Sequence, residues 1–285
     1  MTTSGFLLDI QLAYDKLTKT EKKIADFVLQ HTNQVFFMSI TDLADACKVA
    51  DASVHRFCRT MGVKGYQEFK MKLSLSMAPE NVLPEELSAA TMKVDSMDFT
   101  LDQILQTHIR ALKETRMLQR DEEIGKAVSA MEEAQQVYFF GVGDSLLTAI
   151  EARNKFLRIT PKVNSIDDPH MQAMLASLAG PGDVIFLISY SGATKDTIHV
   201  AEIAKEAGAK TVGITKFRKS PLARQVDLLL LCGSNEGPLE GGSLAAKMTQ
   251  LYIIDVLFQE YYRRNHRISK ESNRRTSQAV VEKLI

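Results

Sequence analysis

Residues 184–194 read VIFLISYSGAT, and the fold of the larger part of the chain follows from them. The run VIFLIS is too apolar to face water on either side, which is how a strand covered on both faces of a sheet reads. Immediately after it come three hydroxyls, Ser189, Ser191 and Thr194, grouped with Gly192 where a helix is expected to begin. A helix N-terminus favours an anion through its free N–H groups and its dipole. Hydroxyls add directed hydrogen bonds there without adding charge. A residue that merely caps the helix accounts for one hydroxyl, not three.

Working outward, short apolar runs recur at Val137–Phe140, Lys162–Ile166, Thr211–Thr215 and Leu228–Leu231. Helical stretches at roughly 145–159, 168–179 and 194–208 separate most of them. Alternating strands and helices imply a parallel sheet with helices on both sides. Two amphipathic helices from Phe99, ending near Gln119 and Gln135, precede the first strand. A long helix at about 243–263 closes the region, and a basic tail follows. In that helix Gln250, Leu251, Ile254 and Leu257 form a stripe expected to be core or a contact with a second copy. Lys247 reads as an ordinary surface lysine. The first strand ends in Phe140-Gly141-Val142-Gly143-Asp144-Ser145, whose glycines allow a sharp turn and leave Ser145 near a helix start. The third glycine of the dinucleotide fingerprint is missing, which argues against NAD. Ligands of open α/β sheets bind at the carboxyl ends of strands, near the switch in strand order, and both motifs lie at such ends.

Residues 1–77 read as helices only. Within SITDLADACKVADASVHRFCRTM, residues 39–61, Ile40, Leu43, Ala44 and Cys47 share one helix face, and Val54, Phe57, Cys58 and Met61 repeat the same offsets. Lys48-Val49-Ala50 joins the two helices, Ser39 can cap the first and Asp51 the second. Two short helices with so short a join make a helix-turn-helix. The other face of the second helix carries Ala52, His55, Arg56 and Arg59, with Ser53 at its start. Small residues, hydroxyls and arginines are what contact with phosphates and base edges requires. Residues 1–77 hold ten Lys or Arg and eight acids, but only two of the acids lie between 50 and 72, where five of the bases are. The positive charge is local, and Lys64 and Lys70 extend it. Gly62 and Gly65 end the helix and turn the chain.

The whole chain of 285 residues has as many Lys and Arg as Asp and Glu, 35 of each. Net charge therefore names no partner. Three distant cysteines, Cys47, Cys58 and Cys232, suggest free thiols in a reducing cytoplasm. No signal pattern or membrane-length apolar run is evident. Residues 79–98 contain two prolines, five acids and one base, a linker composition.

The stretch from Ile24 to Leu73, and above all the run R-F-C-R-x-x-G-x-x-G-Y-x-x-F-K from Arg56 to Lys70, resembles the N-terminal domain of the RpiR family of bacterial regulators. It departs in two places. Lys48 stands where the family favours glycine or another residue tolerant of positive φ, and Ala50 stands where a serine usually caps. From about Phe99 to Phe258 the chain resembles the sugar isomerase (SIS) domain, through FGVGDS, NKFLR, S-x-S-G-x-T and GGSLAAKMTQLYIIDVLF. Together the resemblances imply a helix-turn-helix domain over 1–77, a linker over 78–98 and an α/β domain over 99–285. The sheet would have five parallel strands in flavodoxin-like order, flanked by helices. The implied function is a cytoplasmic transcription regulator that binds operator DNA under the control of a phosphosugar effector. It would work as a homodimer or homotetramer, with no membrane partner, metal, cofactor or catalytic residue. The DNA-binding set would be Ser53, His55, Arg56, Arg59, Lys64 and Lys70. The ligand set would be Gly143, Ser145, Ser189, Ser191, Gly192, Thr194 and Glu240. A sugar-phosphate isomerase is the alternative, with Glu236, Glu240, His170 and His199 as candidate acids and bases. A SIS adaptor that binds a protein partner is a third reading, which the helix-turn-helix disfavours.

Overall fold

The computed structural model describes residues 5–35, 38–77, 97–233 and 244–281. The chain forms two compact units, and the division falls between Thr107 and His108.

Among its described residues the first unit is helical: α1 (Phe6–Ala13), α2 (Lys19–Gln30), α3 (Thr32–Val35), α4 (Ile40–Ala46), α5 (Asp51–Thr60) and α6 (Tyr66–Met77). A capping box starts α2, in which the Thr18 hydroxyl accepts from the Glu21 N–H and the Glu21 carboxylate accepts from the Thr18 N–H. Ser39 and Asp42 do the same for α4, as the sequence suggested for Ser39. Asp51 does not cap α5. Ala50 occupies that position without a side-chain bond. Asp51 lies one residue inside, where its charge suits the helix dipole and its carboxylate accepts from the Thr41 hydroxyl at 3.2 Å. The join from α4 to α5 puts Lys48 at φ 54°, the left-handed conformation its position in the turn implied.

The two apolar stripes meet as expected: Leu43, Ala44 and Cys47 of the first and Val54, Phe57 and Cys58 of the second are all buried. Phe57 and Phe69 pack edge to face with centroids 5.6 Å apart. Glu21 ties α2 to the end of α5. It is 9% exposed and accepts from the Thr60 hydroxyl at 2.6 Å and the Thr18 hydroxyl at 2.8 Å.

The second unit contains α7 (Met97–Leu118, from His108 onward), α8 (Asp121–Glu133), β1 (Gln136–Gly141), α9 (Asp144–Leu157), β2 (Val163–Asn164), α10 (Pro169–Leu178), β3 (Asp183–Ile188), α11 (Lys195–Glu206), β4 (Lys210–Thr215), β5 (Leu228–Leu231), α12 (Leu244–Arg264) and α13 (His266–Val281). The last is the segment expected as a basic tail, and it is a helix. The linker expected over 78–98 lies outside the described residues up to 96, and Met97 and Asp98 open α7.

All sheet pairings are parallel, in the order β2-β1-β3-β4-β5 expected for a flavodoxin-like sheet. Alternating side chains divide the core into two layers. Phe139, Phe186 and Ile188 pack under α8, α9 and α12, while Phe140, Ile185 and Leu187 pack under α10 and α11. Three residues of the stripe on α12, Gln250, Ile254 and Leu257, are buried within their own unit and belong to the core, while Leu251 is half-buried.

The hydrogen bond from Thr60, ahead of those from Thr18, holds the Glu21 carboxyl below the usual carboxylate range. A depressed folded value means that the carboxylate's contribution is fully present above its unfolded value and is lost as pH falls through the lower, folded one. In neutral solution Glu21→Ala should destabilise the helical unit by about 1–3 kcal/mol, because it leaves the Thr18 N–H and the Thr60 hydroxyl without their acceptor. Denaturant titrations from neutral to acidic pH should show the gap to the natural protein narrowing as the carboxyl protonates. A gap that does not change with pH would contradict the role of the charge.

Candidate functional site

The helical unit presents α5 with His55, Arg56 and Arg59 all exposed. Glycine at the end of the helix makes this possible: Gly62 has φ 74° and its N–H bonds the Arg59 carbonyl, which stops α5 and turns the chain. Lys64 is also exposed, and its backbone N–H donates to the Glu68 carboxylate at 2.8 Å.

Two residues of the expected DNA-binding set are not on this surface. Ser53 is 7% exposed, and its hydroxyl accepts from the Arg56 guanidinium at 3.3 Å, which fixes the arginine. Lys70 is 6% exposed. Its ammonium donates to the Met38 carbonyl at 3.3 Å and lies 5.3 Å from the centre of the Tyr66 ring. Tyr66 is buried too and donates to the Val35 and Met38 carbonyls. Burial pushes the Tyr66 phenol well above its ordinary value, so it stays a neutral donor. The Y-x-x-F-K end of the motif therefore braces the chain leading into α4. Spacing alone could not separate that role from phosphate contact.

In the α/β unit the pairing of β1 with β3 runs from Gln136↔Asp183 to Gly141↔Ile188. It sets the two glycine motifs side by side at the carboxyl edge of the sheet. A Cβ on Gly141 would come within 2.8 Å of the Ser145 carbonyl oxygen and 3.1 Å of that of Ile188, so only glycine fits. Gly143, at φ 60°, starts α9 without a side-chain cap. Thr194 starts α11 likewise uncapped. Two helix N-termini from adjacent strands thus leave N–H groups without side-chain acceptors, an arrangement suited to an anion.

The hydroxyls of the S-x-S-G-x-T loop are unequal. Ser189 is 3% exposed; its Oγ accepts from the Gly192 N–H at 3.1 Å and lies 3.1 Å from the Thr194 Oγ1. It shapes the loop from within. Ser191 and Thr194 are half-buried, and Ser191 Oγ accepts from the Ala193 N–H at 3.2 Å. The outer side of the loop is fastened to the end of β4 and to the chain beyond it. The Thr215 hydroxyl donates to the Tyr190 carbonyl at 3.0 Å, and the Leu222 N–H donates to the Gly192 carbonyl at 3.0 Å. Ser145 is half-buried, 3.5 Å from the Gln250 amide nitrogen, while the Thr148 hydroxyl donates to the Gln250 carbonyl oxygen at 2.9 Å.

Lys247 is more than the surface residue its sequence context suggests. Its side chain is 20% exposed, and its ammonium pairs with the Asp144 carboxylate at 3.0 Å, at the start of α9. The clue was its place four residues into the helix that follows Gly241-Gly242-Ser243, but nothing in the spacing pairs it with Asp144. His199 is exposed on α11, and the His170 side chain is 96% exposed. Glu236 and Glu240 lie outside the described residues. Among those described, no cluster of His, Cys, Asp or Glu could hold a metal ion, and no helix is long and apolar enough to cross a membrane.

The recognition-type helix and the anion-directed strand ends together define a two-part regulator. Residues 4–80 match the model of the rpiR-family helix-turn-helix domain, and residues 130–259 match the SIS domain. An HTH-type transcriptional regulator of Haemophilus influenzae is 33% identical over 287 residues, covering 100% of both chains. The HTH-type transcriptional regulator HexR of Pseudomonas aeruginosa is 35% identical over 253 residues, 89% of this chain and 87% of its own. Among solved structures, the NanR protein of Vibrio vulnificus complexed with ManNAc-6P has a TM-score of 0.87 at 28% identity, covering 98% of this chain and 99% of its own. The chain belongs to the rpiR family of helix-turn-helix transcriptional regulators. These curated relatives are described as HTH-type transcriptional regulators.

Gly192 is the tightest point of the site. It has φ 60°, and a Cβ there would fall on the Ser220 hydroxyl and within 2.8 Å of the Thr215 hydroxyl. Gly192→Ala should cost about 1–3 kcal/mol in backbone strain alone, and the clash adds to it. Denaturant unfolding of the variant should show a lower midpoint, and an unchanged midpoint would contradict the packing described.

Proposed function

We propose that this regulator controls sugar-metabolism genes in the cytoplasm by binding operator DNA through α5, and that a phosphosugar held at the carboxyl ends of β1 and β3 sets its operator affinity. The observation that carries the ligand half is the convergence of two helix N-termini without side-chain caps, those of α9 and α11. In this reading Ser191 and Thr194 meet the phosphate, and Ser189 and Gly192 hold the loop in shape. Gly143 lets α9 start there, Ser145 faces the sugar, and Glu240 joins the ligand set on the strength of the sequence. The likeness to NanR complexed with ManNAc-6P supports a phosphosugar as the ligand class. On the DNA side His55, Arg56, Arg59 and Lys64 make the contacts, while Ser53 and Lys70 act from beneath the surface. The protein works as a homodimer or homotetramer, since a single small head buries little DNA and specific readers commonly pair two heads on a two-fold site. Light scattering at micromolar concentration should exclude a monomer.

Arg59→Ala should weaken operator binding by about 1–3 kcal/mol if the arginine reads a base. Anisotropy titration measures this, and unchanged affinity in both Arg56→Ala and Arg59→Ala would remove α5 from the DNA surface.

The effector should change operator affinity without being consumed. A ligand shifts such an equilibrium only by its differential affinity for the two states, typically worth roughly 5- to 150-fold. Operator titrations with and without saturating phosphosugar, ManNAc-6P being the first probe, should differ by a factor in that range. The reciprocal ligand titration with and without DNA should return the same factor, and Ser191→Ala should weaken the ligand severalfold by calorimetry. Equal affinity for a sugar and its phosphate, or steady turnover with DNA binding unaffected by ligand, would overturn the reading.

A further inference from the structure

The end of β1 is held by β3 on one side and by a single side chain on the other. β2 pairs with β1 only at Val137↔Val163 and Tyr138↔Asn164. The ladder on that side therefore stops short of Gly141, where β1 ends. Gln172 of α10 takes its place. It is 1% exposed, and its Nε2 donates to the Gly141 carbonyl at 3.0 Å and to the Ile166 carbonyl at 2.7 Å. An amide nitrogen carries two hydrogens, and one goes to each side of the gap. Both partners are acceptors, so only one orientation of the amide serves.

A polar group at this depth is disfavoured unless it is hydrogen-bonded. Ala176, one turn further along α10, belongs to the apolar layer under that helix. An apolar residue at 172 would continue that stripe, so the amide is there for its two bonds.

What it fixes is the turn that joins β2 to α10, residues 165–168. Ile166 is tied to β1 through Gln172, and Asp168 caps α10 by accepting from the Met171 N–H at 2.9 Å. The turn is thus pinned at the carboxyl edge of the sheet, beside Gly141. The S-x-S-G-x-T loop lies at the same edge, after β3, and is fastened separately through Thr215 and Leu222. In the order β2-β1-β3 the turn and the loop stand two strand spacings apart, roughly 10 Å. A phosphate seated on the loop is too small to cross that distance. A phosphorylated sugar reaches across it, with its carbon chain over the end of β1.

We infer that Gln172 is a positioning residue for the sugar part of the ligand. By holding the turn after β2 against the end of β1, it builds the wall that tells one phosphosugar from another, while the phosphate is held independently. The inference rests on the phosphosugar reading of the site given above. Gln172 touches no ligand and acts through the backbone at Gly141 and Ile166.

The test uses the full chain with Gln172→Met, which keeps the length of the side chain and removes both donors. Calorimetry, with competition for weak ligands, gives affinities for inorganic phosphate and for a panel of pentose, hexose and amino-sugar phosphates that includes epimeric pairs. Inorganic phosphate should bind as it does to the natural protein. The phosphosugar that the natural protein prefers should lose about 2- to 10-fold in affinity, the worth of a hydrogen bond, and its advantage over its epimers should narrow accordingly. A melting curve shows whether the fold is retained. Gln172→Glu, of the same shape, serves where the apolar variant does not fold; its carboxylate has no hydrogen for either carbonyl, and the same narrowing is expected. An unchanged preference in a folded variant would overturn the inference. So would an equal loss for phosphate and every phosphosugar, which marks a purely structural role. A natural protein that binds no phosphosugar better than inorganic phosphate would instead remove the reading of the site, and the inference with it.

Discussion

The six-residue register between β1 and β3 is the constraint from which the ligand-facing half of this protein follows. It pairs Gly141 with Ile188, so that two strand ends and two helix starts meet at one edge. Strand order does the rest. With β2 outside β1 and β4 outside β3, the chain leaves this central pair in opposite directions, opening the crevice where α/β sheets take their ligands. The pair is held by apolar packing on both faces. Phe139 stacks on Phe186 at 4.9 Å beneath one helical layer, and Phe140 lies in the other. A slip of one residue would exchange those faces and separate the motifs.

The architecture was legible because its signals are periodic and local. VIFLIS reads as a doubly covered strand, and the offsets of Leu43, Ala44 and Cys47 repeat in Val54, Phe57 and Cys58. The exposed face of α5 followed from the same period. What stayed hidden depended on distances between residues far apart in the chain. Ser53 and Lys70 have the chemistry of phosphate contacts and the burial of structural residues; Lys70 is held by a carbonyl 32 positions away. Lys247 finds Asp144 across 103 positions. The stripe on α12 was compatible with core or interface, and only its packing beneath the sheet puts Gln250, Ile254 and Leu257 in the core, with Leu251 half-buried. The segment holding Glu240 lies outside the described residues.

The two units reach rigidity by different means. The sheet depends on continuous apolar contact and on glycines at points where no side chain fits. The helical unit, with less area to bury, adds polar ties, and Glu21 is the chief one because it serves the start of α2 and the end of α5 at once. Lys48 is the opposite case. Its left-handed backbone carries a strain of order 1 kcal/mol, tolerated because the turn sets the angle between α4 and α5.

All three cysteines, Cys47, Cys58 and Cys232, are buried in the fold. Burial pushes the Cys58 thiol up to about 12 and that of Cys47 up to about 11, so at neutral pH neither supplies the thiolate that alkylating reagents attack. For spectroscopists the buried native cysteines of the folded chain make poor targets for maleimides. A single cysteine introduced on the surface of each unit could carry a fluorophore or spin label without first stripping out the native ones, and the separation of head and body could be followed in the otherwise unaltered protein.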